Sequence, residues 1–152
     1  GLSRGRGWIA YCCVQQRHTY LRPAPGASFG PQLAANDDLL DYCRENPDVR
    51  MLAYTPLLAG AYVRQDKQVP PQYRGAGNEA RLAALRAVAA ETGSTANQVV
   101  LAWMMQGSPQ VLPVFGASSV EQMNESLGAL SLRLTGEQIE RLSAAGNPQN
   151  QG

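Results

Sequence analysis

Apolar residues in this chain fall into two rhythms. Ile9 to Gln16 (IAYCCVQQ) is a short, nearly continuous apolar run with β-branched and aromatic members, which predicts a buried strand. Arg50 to Tyr54 (RMLAY) predicts a second strand, ended by Pro56, and Val111 to Val114 predicts a third. Between them the spacing becomes helical. Asn36 is a good N-cap, Asp37 and Asp38 suit the positive end of a helix dipole, and Leu39, Leu40 and Cys43 form an apolar stripe that Asn46-Pro47 stops. Asn78 to Thr92 predicts a longer helix, with Leu82, Leu85, Val88 and Ala89 on one face and Gly93 closing it. Ser94 or Thr95 caps the next, which carries Val99, Val100, Ala102, Trp103 and Met104 and breaks at Gly107-Ser108-Pro109. Ser119-x-x-Gln122 and Thr135-x-x-Gln138 are capping-box patterns that open the last two helices.

The connections carry information too. Pro23 to Pro31 reads as a loop, and Leu57 to Gly77 is a long connection with Gly60, Pro70, Pro71, Gly75 and Gly77. A loop that long inside a compact domain is usually functional. The alternation of strand and helix argues for an α/β fold with parallel strands. Three short strands fall below the five or six of an ordinary sheet. A complete (β/α)8 barrel takes about 250 residues, more than the 152 present here. Residues 1–145 read as one unit and 146–152, rich in Gly, Asn and Gln, as a disordered tail.

Composition narrows the partners. Thirteen Lys+Arg against twelve Asp+Glu leave a net charge of +1, which gives no electrostatic footprint for nucleic acid or an anionic membrane. No apolar run approaches the roughly 20 residues of a membrane span. The start has no apolar signal core behind its arginines and does not begin with Met, so a piece of a longer chain is expected. Cys12, Cys13 and Cys43 are an odd number without a C-x-x-C, which points to free thiols used in packing in a reducing, cytoplasmic setting. One histidine and no metal-ligand spacing argue against a zinc site.

Three places could carry chemistry. Gln15 and Gln16 sit at the end of the first strand, where they either meet solvent or offer a ligand amide both a donor and an acceptor. Tyr54 ends the second strand, where parallel folds bind ligands. Its ring either belongs to the core or covers a flat heterocycle. The turn Gly116-Ala117-Ser118-Ser119 leads from strand to helix. It serves either as a cap or as a close approach for an anion, and it matches neither a P-loop nor G-x-G-x-x-G. His18 reads as a packing or surface histidine, Trp8 and Trp103 as core or interface anchors, and Arg81 and Arg86 as the solvated face of their helix.

Four stretches in order resemble the C-terminal part of an aldo/keto reductase: CVQQRHTYL (Cys13 to Leu21), MLAYTPLLAGAY (Met51 to Tyr62), NQVVLAWMM (Asn97 to Met105) and VLPVFGASSVEQMNESLGAL (Val111 to Leu130). The resemblance implies the sixth, seventh and eighth strands of a partial (β/α)8 barrel, about its last three βα units. It also implies a cofactor groove for NADP, with NAD an alternative. In that groove Gln15 matches the glutamine on the nicotinamide carboxamide, and Tyr54 the aromatic stacked on the nicotinamide ring. Thr55, Leu57 and Gly60 match the segment passing the pyrophosphate. Gly116, Ala117 and Ser118 match the loop by the adenosine ribose and its phosphate, and Gln122 and Glu125 residues beside the adenine. Ser126 departs from the family's usual Asn, and Gln122 from an arginine that many members place on the 2′-phosphate.

The family's catalytic Asp, Tyr, Lys and His lie on earlier strands, so the resemblance assigns no catalytic residue here. It implies reduction of aldehydes or ketones to alcohols by the whole domain, and inactivity with weak cofactor binding for this chain alone. The rival readings are a non-catalytic nucleotide-binding or interaction module and a truncated-gene remnant. Exposed strand edges would favour self-association or a partner supplying the missing N-terminal barrel segment.

Overall fold

The computed structural model describes residues 5–147. Three parallel strands form one sheet in the order β1 (Cys13–Arg17), β2 (Arg50–Tyr54), β3 (Val111–Val114). Their register aligns Gln15 with Leu52 and Leu112, and Arg17 with Tyr54 and Val114. Among the described residues five helices connect and follow the strands: α1 (Asp37–Glu45), α2 (Ala76–Thr92), α3 (Ala96–Gln106), α4 (Val120–Leu127) and α5 (Gly136–Ala144).

The core lies on one side of the sheet. Alternate strand residues Met51, Ala53 and Val111 point into it, with Val14 packed at its margin. On that side α3 is the central helix, with Val99, Val100, Leu101, Ala102 and Met104 all buried. A helix apolar on nearly every side must be surrounded, and α3 meets β3, α2, α4 and α5. Each fully buried large aliphatic side chain contributes about 1.5–3 kcal/mol of transfer free energy. The other set of alternate residues, Gln15, Leu52, Tyr54, Leu112 and Val114, faces the side where no helix packs among the described residues. Leu112 keeps 47% of its surface exposed there and Val114 43%.

Caps end the helices largely where the sequence places them. Asn36 Oδ1 accepts from the Leu39 amide at 3.0 Å. Thr95, rather than Ser94, caps α3, and both Thr95 and Thr135 close full capping boxes with Gln98 and Gln138. The box expected at Ser119 is only half made. Ser119 Oγ accepts from the Gln122 amide, but Gln122 Oε1 accepts from the Ser118 amide at 2.9 Å, one residue too early.

Several expectations need correction. The first strand starts at Cys13 rather than Ile9, because β2 begins opposite it and nothing pairs with residues 9–11. Ile9 is 99% exposed, and Trp8 and Tyr11 are exposed as well, so Trp8 anchors no core among the described residues. Cys43 packs in the core, whereas Cys12 and Cys13 are both exposed. A hydrogen bond from the neighbouring Cys12 raises the Cys13 thiol above its ordinary pKa.

Arg81 is the largest departure: it is 2% exposed instead of solvated. It sits four residues before Leu85, on the buried stripe of α2, and two of its three guanidinium nitrogens find partners there. Nε donates to the Tyr20 carbonyl and Nη1 to the Ala145 carbonyl, each at 2.8 Å, and the guanidinium lies 4.4 Å from the Tyr20 ring centroid. Asn78 fastens the same corner, accepting from the Arg22 amide and donating to the Arg22 and Tyr73 carbonyls.

The start of the expected tail is therefore docked. Gly146 (φ +71°) sits so close to Gly77 that a β-carbon would collide with the Gly77 carbonyl. The rest of that tail, 148–152, lies outside the described residues.

Candidate functional site

All three strands run the same way, so Arg17, Tyr54 and Val114 form one row at their carboxyl ends. That row is about 10 Å wide at the usual strand spacing. A concavity of about 420 Å³ lies at its Arg17 and Tyr54 end, lined by Gln15, Gln16, Arg17, Pro31, Gln32, Leu33 and Tyr54. Gln15 and Tyr54 thus meet in one cleft, as the two alternatives with ligand chemistry required. Pairing of Gln15 with Leu52 puts the two side chains on the same face, roughly 8 Å apart along the diagonal. Tyr54 is 39% exposed, so its ring is not a core residue. The Gln15 amide makes no hydrogen bond among the described residues.

Sequence reasoning missed Arg17. Its Nη2 donates to Gln32 Oε1 at 2.9 Å, and the guanidinium lies 4.7 Å from the Phe29 ring centroid and 5.8 Å from that of Tyr54. Strand alternation contained the signal: Arg17 follows Gln15 by two and shares its face.

The backbone after Tyr54 is strained. Thr55, Leu58 and Ala59 have φ of 60°, 48° and 55°, and Gly60 has 90°. Such conformations cost roughly 1–3 kcal/mol each for residues other than glycine and persist only where surroundings impose them. The surroundings here are a polar chain. The Leu21 amide donates to the Tyr62 hydroxyl, which donates to Thr19 Oγ1 at 2.6 Å, which donates to the Pro56 carbonyl at 2.6 Å. Burial holds the Tyr62 hydroxyl well above its ordinary pKa, so it stays a donor. Thr55, Leu57 and Gly60 all lie in this tied-down turn, directly beyond the Tyr54 ring.

The third element is placed but closed on itself. Gly116 and Ser118 are exposed at the same end of the sheet, and Ala117 is half-buried between them. Gln122 turns back onto Ser118, accepting from both its amide and its hydroxyl. Glu125 is turned towards α3: its carboxylate accepts from Thr95 Oγ1 and from Asn97 Nδ2, at the positive end of that helix. Ser126 is buried beneath it. His18 lies on the other side of the sheet from the cleft, stacked on Trp103, and burial pushes its pKa down to about 4. No helix among the described residues is long and apolar enough to cross a membrane.

The cleft therefore offers an open aromatic face, an unengaged amide and a guanidinium at the ends of parallel strands. A flat ring bearing a carboxamide would find a stacking surface and both hydrogen-bond partners there.

Comparisons with known proteins bear on the family and the fold. The family model for "Aldo/keto reductase family" matches residues 6–147. An uncharacterized oxidoreductase of Schizosaccharomyces pombe is 25% identical over 115 residues, covering 76% of this chain and 32% of its own length. The aldo-keto reductase str7 of Strobilurus tenacellus is 30% identical over 115 residues, covering 66% of this chain and 34% of its own. The crystal structure of an aldo/keto reductase from Klebsiella pneumoniae, solved with NADP and acetate, superposes with a TM-score of 0.59 at 22% identity. That match covers 93% of this chain and 42% of that one, and it speaks for the fold. The chain thus spans about a third of the length of these curated relatives. A match over nearly all of the described residues establishes the family: the chain belongs to the aldo/keto reductases.

Proposed function

We propose that this chain is the cofactor-orienting part of an NAD(P)H-dependent aldo/keto reductase, the last three βα units of a (β/α)8 barrel. The observation that carries this is the bare face of the sheet, with Gln15 and Tyr54 side by side on it. Parallel sheets are normally covered on both faces. Here the second face holds half-exposed Leu112 and Val114 beside the polar cleft, as the inside wall of an incomplete barrel would.

In this reading Gln15 holds the carboxamide and Tyr54 covers the nicotinamide ring. The turn at Thr55, Leu57 and Gly60 passes the pyrophosphate. Gly116, Ala117 and Ser118 border the adenosine ribose and its phosphate, with Gln122 and Glu125 near the adenine. The cofactor supplies the hydride for reducing an aldehyde or ketone to an alcohol. The strained turn keeps the Tyr54 ring pre-positioned, so less ordering is needed on binding. A proton must also reach the carbonyl oxygen. The residues this family uses for that step belong to strands outside this chain, so turnover requires an upstream segment. Until it is supplied, the open face favours self-association.

Titration of NADPH into the purified chain, followed by nicotinamide emission, tests the reading. Weak saturable binding that Tyr54→Ala loosens about tenfold, without carbonyl-dependent NADPH oxidation, is expected. Turnover by this chain alone would refute the division of labour, and absence of any saturable binding would leave a remnant without function. Binding that persists unchanged in Tyr54→Ala would refute the groove.

A further inference from the structure

A second cavity lies behind the sheet, on the helix side. It holds about 630 Å³ between the loop after β1, α1 and the end of α3, and it shares only Arg17 with the cofactor groove. That volume suits a small organic molecule.

Its charges do not balance. Arg22 pairs with Asp37, and Arg44 with Asp41, and these are the carboxylates on the cavity wall. Arg17 is held by Gln32. Arg81 has no carboxylate partner among the described residues. Its Nε and Nη1 donate to backbone carbonyls, and Nη2 is left without an acceptor. A guanidinium that is 2% exposed with no counter-ion is a costly arrangement, because buried charges are ordinarily paired. Burial and the nearby Arg22 both press its pKa downward.

His18 borders the same space, and its imidazole has no hydrogen-bond partner among the described residues. It is neutral at physiological pH, with one ring N–H to donate, and lies flat against Trp103, the ring centroids 6.1 Å apart. Leu40, Met104 and the Trp103 ring give the wall its apolar portion.

We propose that this cavity binds a small organic monocarboxylate, its carboxylate on Arg81 Nη2 and the His18 ring N–H, its apolar body against Trp103, Met104 and Leu40. Arg17 is held only by the neutral Gln32 but is half-exposed and screened by water, so Arg81 is the one buried guanidinium on the wall without a counter-ion, and one buried positive charge calls for one negative charge. A dianion such as phosphate would bring an excess charge into the same low-dielectric space. The site is independent of the nicotinamide groove, so either can fail without the other.

Benzoate is the probe, with inorganic phosphate as contrast, both titrated into the full chain carrying Trp8→Phe so that Trp103 reports alone. Saturable fluorescence change with benzoate is expected, about tenfold tighter than any with phosphate. His18→Phe keeps the stack on Trp103 and removes the donor. It should weaken benzoate at least fivefold while the chain still melts cooperatively. Arg81→Lys should weaken it about tenfold or more, and its melting curve shows whether the fold survives. Saturating NADPH should leave the benzoate affinity unchanged. No saturable response up to ~50 mM benzoate, equal affinity in His18→Phe, phosphate binding as tight as benzoate, or competition with NADPH would each overturn the site.

Discussion

The two faces of the β-sheet are built from the same five- and four-residue strands, yet they do opposite work. On the helix side Met51 and Ala53 are fully buried and Val111 nearly so. On the bare side Leu112 and Val114 remain more than two-fifths exposed, and Gln15, Arg17 and Tyr54 gather around a polar cleft. Alternation along a strand makes this possible: one residue in two can serve stability while its neighbours serve recognition. Packing across the sheet and the cleft on its bare face can therefore be probed by separate mutations.

The largest expected effect is on the packed face. Met51→Ala should cost about 2–5 kcal/mol in denaturant unfolding, whereas Leu112→Ala should change stability by less than about 1 kcal/mol. Equal losses would mean that the bare face is covered in solution. Acid should come next. His18 is kept neutral in the fold with a pKa of about 4, below its unfolded value, so the unfolded chain binds more protons between the two values. The stabilisation is fully present above about pH 6.5 and is lost as pH falls towards 4, an effect on the order of 3 kcal/mol. His18→Phe should flatten that part of the stability–pH profile. A profile identical to the parent's would show that the imidazole is not desolvated.

Tyr54→Ala is expected to weaken NADPH binding about tenfold, equivalent to about 1.4 kcal/mol, with the melting temperature nearly unmoved. A large drop in melting temperature would transfer Tyr54 to the stability side of the comparison. The smallest effect belongs to a cap on the packed side. Thr135→Ala removes the acceptor for the Gln138 amide and should cost about 1 kcal/mol, with no change in NADPH affinity.

Local patterns made much of this legible. Asn36, Thr95 and Thr135 were recognisable as caps because a side-chain oxygen before an apolar helix serves amides that have no other partner. The meeting of Gln15 and Tyr54 in one cleft was suggested only by resemblance, since periodicity favoured a core tyrosine and kept a ligand-stacking ring as the alternative. Gln122 and Glu125 were placed on the right helix. Their hydrogen bonds to Ser118 and Thr95 depend on neighbours that no local window contains.

The sequence by itself determined the alternation of strands and helices, the positions of the caps and the residue types at the strand ends, because each follows from contacts a few residues apart. Tertiary structure alone decided that Ile9 to Cys12 lie outside the sheet, that Arg81 is buried, and that one sheet face is left bare. Those outcomes depend on which distant segments come to lie alongside: β2 opposite Cys13, the Tyr20 and Ala145 carbonyls around a guanidinium, and no helix against Leu112. Burial is a property of the partner surface as much as of the residue, and a partner far away in sequence leaves no periodic trace.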